Sequence, residues 1–289
     1  MLAARWRVPV IAVALLAGTV GALVTSITQA GATAHPRGRP GGSATGTARA
    51  LRLAATSRAP LVTDAVPRKR SKRGLPAPPL SAAMRRADAV RQAQARAYLR
   101  RVSPPAARDL AATQRAQSRD YFCGPAVLSE MLAQLKVVLP QRAAARDLRT
   151  SRSGTDWSNS RGYPVPRVLN AHQKRHIYVV VGLPWTPTRA QIRRYERDLV
   201  TDISRGRGAP IAGNGYEVPG GPHLVGHPPG QVIMHWFDIR GYSRSGAVTD
   251  YEDSVHGAAS IGWSGSVPAY SSLSSAVVVY ILGARGYVW

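Results

Sequence analysis

The single cysteine of the chain stands in the run Cys123-Gly124-Pro125-Ala126. Gly124 permits an irregular approach, and Pro125 suits the first turn of a helix, where a missing N–H costs nothing. That places Cys123 at a helix N-terminus, where the positive end of the helix dipole favours a thiolate. A lone cysteine can form no internal disulfide, so Cys123 is a partner for intermolecular pairing, a reactive thiol or a small buried hydrophobe. Gln117 lies six residues upstream. Its side-chain amide and the Cys123 backbone N–H are the donors that an oxyanion at this thiol would need.

The elements that must position these residues are helical first and stranded later. Val127, Leu128, Met131, Leu132 and Leu135 form the apolar stripe of a helix over Gly124–Val138, bounded by Pro140. A further helix is predicted over Val165–His176, followed by a strand over Ile177–Val181. Thr188 caps a long helix to Arg205 whose buried stripe is Ile192, Tyr195, Leu199 and Ile203. Strands are predicted over Ala209–Gly213, Val232–Tyr242, Ala247–Glu252 and Ala276–Leu282. The whole reads as an α+β fold, with N-terminal helices packed on a largely antiparallel sheet.

His235 opens the second of those strands, with Phe237 and Ile239 on its face. A carboxylate at the end of the next strand could bind one ring nitrogen and hold the tautomer. Asp253 sits at that end, and Asp250, inside the strand, is its rival. His223 and His227 lie in the Gly/Pro-rich loop Gly220–Gly230. No conventional metal spacing or carboxylate partner supports reading them as a metal cluster with His235, so they are expected to border a substrate cleft together with Trp236. His172, His176 and His256 have no spacing that marks them as more than polar surface or core residues.

Taken together, Gln117…Cys123-Gly124-Pro125-Ala126, His235-Trp236-Phe237-Asp238-Ile239-Arg240-Gly241-Tyr242 and Tyr251-Glu252-Asp253-Ser254 resemble the bacteriocin-leader-processing cysteine peptidases and their secreted, C39-like relatives. The resemblance covers about 116–282. It implies a papain-like fold, a Cys123 nucleophile, a His235 general base, an Asp253 that orients the imidazole and a Gln117 oxyanion donor, with no cofactor and no metal. The substrate it implies is a peptide or protein. Asp238 departs from the pattern by interrupting an apolar strand; it should face opposite His235 and either pair with Arg240 or be exposed. A catalytically silent peptide- or cell-wall-binding module of the same fold is the alternative, and other papain-like amide chemistry would use the same triad.

The rest of the chain bears on compartment. Met1–Arg7 carries two arginines, Val8–Val24 is uncharged and apolar, and Ala32-Thr33-Ala34 fits a cleavage site, so residues 1–34 read as a secretory signal peptide. An uncleaved anchor is the competing reading. Residues 35–79 lack periodicity and read as a disordered basic linker that carries Arg68-Lys69-Arg70-Ser71-Lys72-Arg73. The formal net charge is +24, yet 18 Lys/Arg against 3 acids fall between Pro36 and Arg115, with 19 against 12 from Ala116 to Trp289. Such a tether suits electrostatic contact with a cell-wall or membrane surface rather than specific nucleic-acid binding. Residues 80–115 read as a helical pro-region or extension: one helix over Leu80–Val102, ended by Pro104-Pro105, then a short one from Ala106 to about Arg115. Residues 116–289 are left for the peptidase-like domain.

Overall fold

A computed structural model describes residues 80–289. The expected signal peptide and basic linker lie outside the described residues. Within them, no helix is long and apolar enough to cross a membrane.

Six helices surround one antiparallel sheet among the described residues. The helices are α1 (Ala82–Arg101), α2 (Cys123–Gln134), α3 (Gln141–Leu148), α4 (Pro164–His172), α5 (Arg189–Ser204) and α6 (Ser275–Ile281). The strands are β1 (Arg108–Asp109), β2 (Val180–Gly182), β3 (Ile211–Glu217), β4 (Ile233–Ser243), β5 (Val248–Glu252), β6 (Tyr270–Ser274) and β7 (Gly286–Val288). They run in the order β2-β7-β3-β4-β5-β6, and the short β1 pairs with β4. The architecture is α+β.

Strand alternation divides the core into two. Val181, Ile211, Phe237, Ile239 and Tyr287 face one cluster, packed under Ala95 of α1, Tyr195, Leu199 and Ile203 of α5, and Val278 and Ile281 of α6. Val180, Ala212, Trp236 and Val288 face the other, under Val127, Leu128, Met131 and Leu132 of α2, Leu148 of α3, and Val165 and Leu169 of α4. Successive side chains point to opposite faces of a strand, so one sheet serves two helical layers.

The long helix follows its sequence signals closely. Thr188 caps α5 by accepting the Gln191 N–H, and the Gln191 side chain returns to the Thr188 N–H, a complete capping box. Helix α4 ends earlier than expected, at His172, because the Gln173 side chain accepts the N–H groups of Arg175 and His176, both at 2.9 Å, and turns the chain. The strand expected from Ile177 accordingly starts at Val180.

Two expectations are corrected. Residues 106–115 are extended, not helical: Arg108 and Asp109 pair with Tyr242 and Gly241, and the Leu110 N–H donates to the Arg240 carbonyl at 2.8 Å. β3 leaves β4 at Ile211, so β1 occupies the edge of β4 that β3 vacates. Ala276–Leu282 is not a strand but most of α6. Ser274 caps it by accepting the Val277 N–H, and Val278, Val279 and Ile281 are buried. The cap and the tertiary burial outweigh the β propensity of a valine run. Helix α3, with Pro140 as its N-cap, carries no sequence signal that separates it from a loop, and β6 and β7 are equally unmarked.

Helix α1 docks on the layer opposite α2. Asp88 meets Arg194 at 2.6 Å, Arg91 meets Asp202 at 2.5 Å, and the Gln92 amide donates to Asp198 at 2.7 Å. Burial pushes the Asp198 carboxyl up to about 6, against the pull of Tyr287, Arg194 and Gln92. The hydrogen bonds and ion pairs of α1 run to α5, residues 176–177 and Trp289, on the far layer from Cys123. Gln92→Ala would leave Asp198 one donor short, an expected cost of about 1–3 kcal/mol measured by denaturant unfolding. A chain starting at Ala106 should melt well below one starting at Leu80.

Candidate functional site

Cys123 is the first residue of α2 and is 8% exposed. The helix has no side-chain N-cap, so its leading N–H groups are free to serve the thiol. Gly124 is required by close packing: a Cβ there would sit inside contact distance of Thr155 Oγ1 and Cβ. Thr155 belongs to the 151–163 segment, pinned by bridges between Ser151 and Gly154 and between Asn159 and Gly162. Its carbonyl accepts the Trp236 indole N–H at 3.1 Å, and Trp157 stacks beside Trp236 with ring centroids 5.7 Å apart. Trp236, expected on the border of a cleft, is therefore 2% exposed, a wall between β4 and this segment.

The His235 ring lies between the thiol and a carboxylate. Its Nε2–H donates to Asp253 Oδ1 at 2.9 Å, which leaves Nδ1 for Cys123. Burial works against the Cys123 thiolate, but the hydrogen bond and charge of His235, with backbone groups of Trp236 and Gly124, outweigh it and lower the thiol pKa. Burial likewise works against a charged His235, yet Asp253 and Cys123 hold its pKa well above the usual histidine range. The thiolate–imidazolium form therefore spans the pH interval between a lowered thiol and a raised imidazole.

Asp253 is held from all sides. Oδ1 also accepts the Val255 N–H at 2.9 Å, an Asx-type turn, and Oδ2 accepts from His227 Nε2 at 3.1 Å. Although fully buried, it stays ionised far below the usual carboxylate range because the two histidines outweigh its desolvation. The rival Asp250 points elsewhere, bonded to the Ser272 hydroxyl.

Gln117 is 2% exposed and joins the approach to Cys123 with the turn after Asp253. Its N–H donates to the Ser254 carbonyl at 2.8 Å, and its Oε1 accepts from Ser254 Oγ at 3.1 Å. Both amide protons are engaged, by the carbonyls of Arg119 and Asp120 at 2.8 and 2.9 Å. Gln114 adds a parallel link, donating to the carbonyls of Asp253 and His256.

The two loop histidines differ. His223 faces the carbonyls of Gly221 and Gln231. His227 is buried behind Asp253, where its Nδ1 meets both Glu217 oxygens at 3.0 Å. The absence of a carboxylate partner expected from sequence is thus overturned for His227. Glu217 carries no sequence signal, because only the fold of the 218–232 loop brings it under a histidine ten residues away. His227, His235 and Asp253 bring donor atoms within 4.8 Å of one another, but those atoms are spent on mutual hydrogen bonds.

Asp238 is neither exposed nor paired with Arg240, which instead meets Asp109 at 3.3 Å. It is fully buried on the α2 face of β4, accepts from the Gln134 amide and lies beside Glu130 and Glu252. The last is its register partner on β5. Burial and mutual repulsion push Asp238 and Glu130 well above the usual carboxylate range, and burial raises Glu252 as well. The Glu130 carboxylate accepts the Arg115 N–H at 2.7 Å, while neither Glu252 oxygen finds a donor. Protons shared among the three are what such a cluster requires.

No family model matches the chain, and no curated protein or solved structure matches it.

Two measurements address this packing. Gly124→Ala should cost about 1–3 kcal/mol by overpacking against Thr155, and adding Thr155→Gly should recover most of it in a double-mutant cycle. The raised carboxyls hold protons that the unfolded chain has released, so their contribution is full below about pH 4.3 and fades as pH rises toward the folded-state values. Glu252→Gln removes one such group, and its melting temperature should gain on the parent protein steadily between pH 5 and pH 8.

Proposed function

We propose that this chain is a papain-like cysteine hydrolase that cleaves a peptide or amide bond, as its resemblance to the leader-processing peptidases implies. One observation carries the reading: the buried line Cys123–His235–Asp253, in which a helix N-terminus and an oriented imidazole both favour the thiolate. In this reaction the Cys123 thiolate attacks the substrate carbonyl carbon, and the carbonyl π electrons move to oxygen. The tetrahedral intermediate collapses with loss of the amine, which takes its proton from the His235 imidazolium and leaves a thioester on Cys123. Water then adds to the thioester while His235 accepts its proton. The carboxylic acid departs and the thiolate–imidazolium pair is restored.

The Cys123 backbone N–H supplies one oxyanion donor. Gln117 supplies the second only after releasing Arg119 or Asp120, since both of its amide protons are bound in this state. That engagement is also the one observation favouring a catalytically silent, peptide-binding module. Export through residues 1–34, and surface contact through the basic linker, belong to the same proposal and rest on the sequence alone.

Cys123→Ala separates the readings. The hydrolase loses all cleavage of a mixed peptide library while its melting temperature stays nearly unchanged. A parent protein that cleaves nothing yet retains the same peptides as its alanine variant does would establish the binding module instead.

A further inference from the structure

His227 sits between two acids. Its Nδ1 is 3.0 Å from both Glu217 oxygens and its Nε2 is 3.1 Å from Asp253 Oδ2, with the ring entirely buried. Ionised carboxylates only accept hydrogen bonds, whereas a neutral imidazole has one N–H to give. With Glu217 and Asp253 both ionised, both contacts are satisfied together only when both ring nitrogens carry protons. The Asp253 carboxylate thus lies between two rings, His227 on Oδ2 and His235 on Oδ1, whose centroids are 5.3 Å apart.

We propose that Glu217 and His227 form a second charge-holding pair behind Asp253, in which the His227 imidazolium fixes the Asp253 carboxylate and adds positive charge to the field that keeps Cys123 a thiolate. His227 acts through Asp253 and is a positioning residue, not a catalytic one. The proposal rests on reading Cys123 and His235 as the reactive pair.

The surroundings leave His227 as the cation able to act in this way. From β3 it faces Glu217, from the turn after β5 Asp253, and from β4 His235. Within its own loop His223 reaches toward Glu217 at 3.9 Å. From β5 the Tyr251 hydroxyl is occupied in accepting the Val225 N–H. Trp263, a neutral ring, packs against it in a T-shaped contact with centroids 4.9 Å apart. Glu130 and Glu252, on the far side of Asp253 and His235, belong to the proton-sharing cluster. Burial disfavours the His227 cation, but Asp253 and Glu217 outweigh it and raise its pKa. Loss of the proton would leave one of two buried carboxylates facing a lone pair, which is costly where no water can substitute.

The consequence is legible without a substrate. Alkylation of Cys123 by iodoacetamide, followed against pH on the full chain, reads the acid limb at which the thiolate forms. His227→Gln keeps an amide donor for Asp253 but removes the charge. Its acid limb should move up by about one pH unit, making alkylation about tenfold slower at a pH below the limb. A merely structural role would lower the melting temperature and leave that limb in place. Should His227→Gln fail to fold because Glu217 is stranded, the double variant E217Q/H227Q removes both charges and decides the matter. Its limb should also rise, with about threefold slower alkylation at the same pH. A limb that stays put or moves to lower pH in either folded variant overturns the proposal. An ordinary thiol profile in the parent protein is a different result: it sinks the hydrolase reading itself, and this proposal falls with it.

Discussion

A carboxylate with no water around it persists only if protein donors meet its oxygens, and Asp253 is met by three: His235, His227 and the Val255 N–H. Much of the site follows from that requirement. The Asx-type turn fixes where the chain leaves β5, and the Ser254 carbonyl and hydroxyl then receive Gln117, bringing the approach to α2 into register. The 218–232 loop folds back because His227 must reach the second oxygen. Removing Asp253 would therefore undo more than a catalytic contact: it would release a loop, a turn and the lead-in to the nucleophile.

The sheet's contribution is to hold unlike chemistries one residue apart. On β4, His235 and Phe237 face one way while Trp236 and Asp238 face the other. The same alternation on β5 separates Glu252 from the turn that carries Asp253. Two buried acidic groups thus lie next to each other in sequence under opposite constraints. Asp253 is kept ionised by its histidines, whereas burial beside Asp238 and Glu130 favours the protonated form of Glu252. The packing of α2 on β4 brings Glu130 into that cluster two turns after Cys123, so nucleophile and acidic cluster are placed by one helix.

How much of this could be read from sequence depends on the distance over which each signal acts. The stripe of α2, the Thr188 cap of α5 and the alternation of β4 are local signals and all three elements appear, although α2 ends at Gln134, four residues before the expected Val138. His235 and Asp253 could be singled out because one lies near the start of a strand and the other directly after one, and both fall in motifs that carry the resemblance. Glu217, His227 as a ligand of Asp253, and the Asp238 cluster could not, because each is defined by a partner from another element. The same reason explains 106–115 and 276–282. In the first, pairing with β4 overrides an Ala- and Arg-rich composition that favours helix. In the second, a serine cap and burial turn a valine-rich run into helix. The papain-like assignment and the roles of the site residues remain a proposal built on motif and geometry.

The near-complete burial of Cys123 also bears on its oxidative fate. A stabilised thiolate is the form that peroxide attacks, and this chain holds no other sulfhydryl that could trap a sulfenic acid as an internal disulfide. Once formed, that sulfenic acid could return to thiol by condensing with an external thiol, and further oxidation would be permanent. The burial that leaves Cys123 8% exposed, with Thr155 packed against the neighbouring Gly124, then limits the access of oxidants as well. An outside thiol that enters by the substrate's own route would be the means by which the residue is kept reduced.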